Sequence, residues 1–335
     1  PTWGEDIIMG TTLALSRLDQ MGGVKIVPIV EDTQFKPAVA VSAAQKLLDV
    51  DGVRFIVGDC GSSGTLAVAP IAEERKAILF TPISFAEGIS DAGDFVFRFA
   101  TTPSEEVPIM INFINDLKIK NIAIIYLNND YGLSFKNRLT EEFENVGGKV
   151  VLADSADPLN KDFRTVLTKI KSLGIKTIVL PASTPQVIGV LKDASKLGMD
   201  DLIFISTQVA ENEALLDAVG AFAEGRLFLT SLSDLSLETI KNNEEAKIFL
   251  DLFTSKYPKR IPNTEIIETY DTVLLLAKAM NKCGENTECA RDYLYSTNSF
   301  VGATGSNYIN SKGDVKHSNI IFKTVVDGKY VKLSK

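Results

Sequence analysis

Histidine is almost absent from this chain, with His317 the single copy in 335 residues. Any Ser-His-Asp or Cys-His scheme would have to run through it. It follows Gly313-Asp314-Val315-Lys316, which reads as a hairpin turn with the imidazole in solvent. Cysteine is scarce too: Cys60, Cys283 and Cys289 are the full set, so zinc-type sites built on paired Cys or His are excluded. Positive charge is outweighed, 35 Lys and Arg against 43 Asp and Glu, a formal net charge of -8. That balance argues against a nucleic-acid or anionic-membrane partner. No run approaches the roughly 18 apolar residues of a membrane span. No basic-then-apolar leader opens the chain either; it starts Pro1-Thr2-Trp3-Gly4, which fits a trimmed secreted protein and a cytosolic one equally.

What is present is an ordinary globular composition, 45% hydrophobic and 23% charged, in a chain longer than one core usually supports. Two domains are therefore expected. Cys283 and Cys289 flank Gly-Glu-Asn-Thr-Glu, a short polar loop compatible with a local disulfide or with two thiols. A disulfide would place the chain in an oxidising compartment, and Cys60 reads as a small buried residue.

Strand-length apolar runs alternate with segments of helical period. After a first helix from about Glu5, strands are expected at Lys25–Val30, Arg54–Val57, Ile78–Thr81 and Phe95–Phe99, with helices at Pro37–Leu48 and Thr65–Arg75. The pattern restarts with strands at Ile122–Leu127, Lys149–Ala153, Thr177–Leu180, Leu202–Ser206 and Arg226–Thr230. Helices are expected between them at Tyr131–Val146, from an Asp162 cap to Leu173, and at Pro185–Leu197. Helices at Asn243–Lys256, Glu265–Cys283 and Tyr293–Phe300 precede short strands at Ser306–Ile309, Asn319–Val326 and Tyr330–Lys332. The fold class is α/β: two doubly wound parallel-sheet lobes joined by a multi-strand hinge. The expected lobes are 1–101 plus 231–311, and 102–230 plus 312–335, with a ligand cleft between them and a hinge suited to closure. A unit of this kind normally opens on a strand, so a first strand is expected upstream of Pro1.

Catalysis finds little support, because 43 acidic residues offer many carboxylate pairs and single out none. Gly58-Asp59-Cys60-Gly61-Ser62-Ser63-Gly64-Thr65 sits between a strand and a helix, where small residues let an anion reach free helix N–H groups. It is neither a P-loop nor a dinucleotide fingerprint. Ser84-Phe85, Asp130-Tyr131-Gly132, Ser183-Thr184 and Gln208 follow other strands, on the edge where open α/β sheets take ligands.

These residues, in order, resemble the leucine/isoleucine/valine-binding protein family, the type I periplasmic binding proteins of branched-chain amino-acid ABC importers. The likeness covers nearly the whole length and is carried by Gly10, Met21-Gly22-Gly23, Glu31-Asp32, Pro37, Ala40, Gly58, Ser62-Ser63, Thr65, Thr81-Pro82, Phe97-Arg98, Asn129-Asp130-Tyr131-Gly132, Asp162-Phe163, Gly198, Tyr270-Asp271, Phe300-Val301-Gly302-Ala303-Thr304-Gly305 and Lys312-Gly313-Asp314. The resemblance implies that Ser62, with Ser63 beside it, and the backbone near Ser84 and Phe85 hold a ligand carboxylate. It implies that Trp3 lines the side-chain pocket, that Tyr131 closes over the ligand, and that Ser183 and Gln208 stand at the ammonium end. It further implies ABC-permease partners, a monomer, no cofactor, export to the periplasm or cell surface, and in many members a lipid anchor. Two positions depart from it. Gln208 stands where the family's amino-acid binders carry a Glu, and Ser183 replaces the assisting Tyr. A buried ammonium without a carboxylate is costly, so either Asp130 or Glu211 substitutes or the ligand is not an α-amino acid. Trp3 and Phe85 would suit an aromatic acid. A sensor or receptor using the same clamp is the alternative reading.

Overall fold

Two separate hydrophobic cores organise the chain. The computed structural model describes residues 2–232, 234–235, 237–318 and 320–333. It divides into a unit of Pro1–Thr101 with Leu235–Asn319 and a unit of Thr102–Asp234 with Ile320–Lys335. The crossings expected near 231 and 312 thus fall at 235 and 320. The first shift follows from the strand Leu227–Ser231, which runs on to Ser231; the second follows from the strand Val315–His317, which pairs inside the first unit.

The first unit opens with helices α1 (Thr2–Met21) and α2 (Pro37–Gln45), then strand β1 (Phe55–Val57), α3 (Ser62–Arg75), β2 (Ile78–Thr81) and β3 (Val96–Arg98). Parallel pairing gives the order β1-β2-β3. Residues 25–30, expected as a strand, form none. A strand exists through its ladder, and among the described residues β1 pairs only with β2; Val27 is left 76% exposed. The second unit continues with α4 (Pro103–Asp116), β4 (Asn121–Leu127), α5 (Asp130–Asn145), β5 (Lys149–Ala156), α6 (Arg164–Ser172), β6 (Thr177–Leu180), α7 (Thr184–Lys196), β7 (Ile203–Ser206), α8 (Glu213–Ala223) and β8 (Leu227–Ser231). Thr102 opens α4 with a reciprocal cap: its Oγ1 accepts from Glu105 N–H at 3.2 Å and its own N–H donates to the Glu105 carboxylate at 3.0 Å. Pro103 then occupies the first helical position, where a missing N–H costs nothing. Asp162 lies one residue outside the expected cap; Phe163 takes that place, and the Asp162 carboxylate accepts from Arg164 N–H.

The chain returns to the first unit with α9 (Leu237–Asn242), α10 (Glu244–Lys256), α11 (Thr264–Cys283), α12 (Thr287–Tyr295), β9 (Phe300–Gly302), β10 (Gly305–Ile309) and β11 (Val315–His317). The helix expected at Tyr293–Phe300 is the end of α12, and Phe300 begins β9. The structure joins Cys283 to Cys289 across the α11–α12 turn. Strands β12 (Ile321–Val326) and β13 (Lys329–Lys332) finish the second unit; Asn319, the expected start of β12, lies outside the described residues. They extend its sheet to the order β13-β12-β8-β7-β6-β4-β5, with β12 antiparallel to β8.

Buried side chains follow from this layering. In the first unit Phe80, Phe97, Phe249, Phe253 and Tyr270 pack with α1 residues such as Leu13. In the second, Ile125, Ile178, Leu180 and Phe204 pack with Leu167, Val190 and Leu191. Among the described residues no helix is long and apolar enough to cross a membrane.

Candidate functional site

In the first unit the loop after β1 and the loop after β2 are bound into one polar mesh. The Asp59 carbonyl accepts from Thr81 Oγ1 and Ser84 Oγ, each at 2.8 Å. Thr65 and Ser84 hydroxyls meet at 2.9 Å. Ser62 Oγ accepts from the N–H groups of Phe85 at 3.1 Å and Ala86 at 3.0 Å. Two backbone N–H groups of the segment at Ser84 and Phe85, where a ligand carboxylate was expected, thus donate to Ser62. A hydroxyl oxygen has two lone pairs, and here both are engaged. Ser62, only 3% exposed, is left as a hydrogen-bond donor, and among the described residues no acceptor takes that hydrogen.

The start of α3 differs from the expected anion cradle. Asp59 Oδ1 accepts from Cys60 N–H and from Thr33 Oγ1, while its buried Oδ2 has no hydrogen-bond partner among the described residues. That oxygen lies against Gly64, where an added Cβ would come within 2.0 Å of it. The Asp59 side chain thus packs against the first turn of α3, and Gly64 is the residue that leaves room for it. Burial, with the neighbouring Asp59 charge, pushes the Cys60 thiol far up, so Cys60 stays protonated. Ser63 is half-buried on the first turn of α3. Phe85 is 7% exposed. Trp3 at the start of α1 packs its ring 5.1 Å from that of Phe35, and Phe35 in turn lies against Gly61. The structure therefore brings Trp3, Ser62, Ser63, Ser84 and Phe85 onto one side of the unit, and adds Thr33, Phe35 and Asp59.

This loop is braced from behind by a buried cation. Arg98 Nε donates to Asp314 at 3.0 Å and its Nη1 donates to the Ala86 carbonyl at 2.6 Å. Both Arg98 and Asp314 are almost fully enclosed. His317, expected in solvent, instead lies on β11, with one ring nitrogen 2.8 Å from Asn307 Oδ1 and the other 2.6 Å from the Phe99 carbonyl. The hairpin that was expected to expose it pairs with β10 and turns it inward.

In the second unit the expected residues converge on the C-terminal edge of β4, β6 and β7. Tyr131, on the first turn of α5, bonds through its hydroxyl to Thr207 Oγ1 at 2.7 Å. Ser183 caps α7 and its hydroxyl donates to the Gln186 side chain, while Gln186 Nε2 donates to the Pro158 carbonyl at 2.6 Å. Thr184 Oγ1 donates to the Val209 carbonyl at 2.7 Å, tying the β6 and β7 loops together. Gln208 begins a short 3-10 turn and is 1% exposed.

Of the two carboxylates proposed to replace a missing Glu, Asp130 is exposed and Glu211 is already engaged. Lys323 Nζ donates to Glu211 Oε1, and Ser231 Oγ donates to Oε2 at 2.7 Å. Residues of β12, more than a hundred positions downstream, supply that cation, so position alone could not reveal it. A hollow of about 310 Å³ beside β5 and α6, lined by Asp154, Asn160, Asp162 and Lys169, contains none of these residues. Among the described residues no cluster of His, Cys, Asp or Glu is placed to hold a metal.

Two α/β units, each with polar hydroxyls and amides gathered at the ends of parallel strands, define a binding protein of the doubly wound class. The chain belongs to the periplasmic binding protein family, whose sequence model matches residues 1–329. It is 26% identical over 315 residues to the leucine-, isoleucine-, valine-, threonine- and alanine-binding protein of Pseudomonas aeruginosa, covering 92% of this chain and 82% of that one. Its fold is similar to that of the branched-chain amino-acid transporter substrate-binding protein LivJ of Streptococcus pneumoniae, solved with isoleucine, at a TM-score of 0.88 and 23% identity over 99% of this chain and 95% of that one. A solute-binding protein of an ABC transporter from Rhodopseudomonas palustris, solved with 3,4-dihydroxybenzoic acid, is equally similar in fold, with a TM-score of 0.88 at 20% identity, covering 99% and 92%. The family is one of extracytoplasmic solute-binding proteins.

Proposed function

We propose that this chain is the solute-capturing component of an ABC importer, working outside the cytoplasm and returning its ligand unchanged. The ligand is a small carboxylate-bearing solute, an amino acid or a related organic or aromatic acid, delivered to permease subunits. The observation that carries the reading is Ser62: a buried hydroxyl whose two acceptor positions are filled by Phe85 and Ala86 N–H groups, leaving a fixed donor for an incoming oxygen. Trp3, Ser63, Ser84, Phe85, Tyr131, Ser183 and Gln208 are the further contacts assigned to the ligand in this reading.

Ser62→Ala should weaken a carboxylate ligand by about 1–3 kcal/mol, the usual cost of losing a hydrogen bond to a charged group. Native mass spectrometry of the purified protein identifies a co-purified ligand, and calorimetry with that compound measures the change. Equal affinity in the variant would remove Ser62 from the site, and conversion of the ligand during incubation would point to an enzyme.

A further inference from the structure

The Glu211–Lys323 pair stands where the second unit meets its polar edge. Glu211 lies three residues beyond Gln208 in the segment Thr207-Gln208-Val209-Ala210-Glu211-Asn212, and is the one ionisable residue in it. Both partners are less than a tenth exposed. Lys323 is opposite Leu229 in the β12–β8 ladder. Directly paired residues, and residues two apart on a strand, share a face. Lys323, Leu229 and Ser231 therefore face one side of the sheet, the side Glu211 reaches.

The other buried carboxylate near β8 belongs to the opposite face. Glu106 accepts from Thr230, the neighbour of Ser231 whose side chain must point the other way. It sits in the first turn of α4, whose positive end offsets its charge. The same face carries the Phe113 ring against Phe228 and Phe322, so α4 covers it. The Asp59 carboxylate belongs to the first unit, where it packs against Gly64 with its Oδ2 enclosed.

We infer that Lys323 is a specificity residue: locked to Glu211, it cancels the charge of the β7 loop and makes the second unit select acids that lack an α-ammonium group. This rests on the solute-binding reading above and names the ligand class within it. Buried ion pairs generally return little net stability relative to neutral replacements. A lysine kept at this edge is better accounted for by what it denies the ligand, a negative counter-charge, than by what it adds to folding. Gln208 fits the same choice, since its amide can bond a hydroxyl or carbonyl but supplies no charge.

The test uses matched probes that differ only in the amine: leucine against 4-methylpentanoate, and phenylalanine against 3-phenylpropanoate. Dissociation constants are measured by calorimetry on the full chain. The natural sequence should prefer the amine-free acid of the better-fitting pair by at least about tenfold, since the amino acid must bury an uncompensated ammonium. Lys323→Met returns the Glu211 charge to the edge and should shift that ratio toward the amino acid by about tenfold or more. The double variant Lys323→Met/Glu211→Gln removes both charges, keeps the fold if the single variant does not, and should restore the original preference. A ratio unchanged by Lys323→Met, or a double variant that favours the amino acid, overturns the role given to Lys323. A natural protein that prefers the amino acid overturns it as well. Failure of the natural protein to bind any small carboxylate would instead sink the solute-binding reading, and this inference with it.

Discussion

Among the described residues each unit holds an ion pair with both partners buried, and the two pairs do different work. In the first unit Arg98 spreads its guanidinium over Asp314, the Ala86 carbonyl and Ser90, so it fixes the loop bearing Ser84 and Phe85 through its backbone. In the second, Lys323 brings a single ammonium to Glu211 at the edge itself. A planar cation with five donors suits bracing, whereas a point charge on a flexible stem suits neutralisation. The contrast teaches that burial and charge alone do not assign a role; the remaining partners do.

The largest expected effect breaks the first pair. Arg98→Met should destabilise the protein by about 3–5 kcal/mol, because it leaves Asp314 buried without its cation. Adding Asp314→Asn should recover only part of the loss, since the Ala86 carbonyl still lacks its donor, a residual of about 1–3 kcal/mol. The corresponding double change of Lys323 and Glu211 should fall close to the natural protein. Urea titrations decide this: if both doubles recover fully, the two pairs are equivalent and the comparison fails.

Asp271 sharpens the comparison from a third direction, as a buried carboxylate held by neutral donors. Ala303 and Thr304 N–H groups donate to it at 2.8 Å each, and Thr304 Oγ1 at 2.6 Å. Gly302 permits the approach, since a Cβ there would lie 2.3 Å from the carboxylate. Burial pushes its pKa from 3.8 up to about 6, against the downward pull of the Thr304 and Ala303 hydrogen bonds. Between those values the folded state holds a proton that the unfolded chain has released. Its contribution is therefore full below the unfolded pKa and is lost as pH rises through about 6, an effect of about 3 kcal/mol. The destabilisation caused by Asp271→Asn should accordingly be larger at pH 3 than at pH 7 by nearly that amount. A pH-independent cost would show that hydrogen bonding, not desolvation, governs this site.

How far the sequence could be read follows the range of the interactions. Local signals carried the alternation of apolar runs that became β4 to β8. The loops bearing Ser62, Ser84, Tyr131, Ser183 and Gln208 were legible because strand ends meet helix starts there. Long-range pairings were not. Nothing near Glu211 announces Lys323, and nothing in the turn before His317 shows that its ring meets the Phe99 carbonyl. Asp59 was read as part of an anion cradle, because the glycine at position 64 looks permissive until the carboxylate that fills the space is seen. Residues 25–30 fail for a related reason: their pattern is that of a strand, but a strand also needs a neighbour.

The two sheets differ in how their strands are paired. In the second unit β6 lies between β4 and β7 and all four of its residues are buried. Its counterpart β1, also the strand before the next βα step, is an edge with all three residues only half-buried. Alternate amides of a parallel edge strand point away from its single partner, so half of those in β1 have no ladder bond on the open side. Val27, Ile29 and Val30 are exposed by 76%, 45% and 66%, the pattern of apolar side chains that strand pairing and packing would cover. Amide exchange at 55–57 should be faster than at 177–180 by about tenfold or more, and residues 25–30 should exchange faster still. Hydrogen-exchange mass spectrometry on overlapping peptides separates these segments. Equal protection of 25–30, 55–57 and 177–180 would mean that an additional strand occupies the open side of β1, and that the two sheets share one complete order.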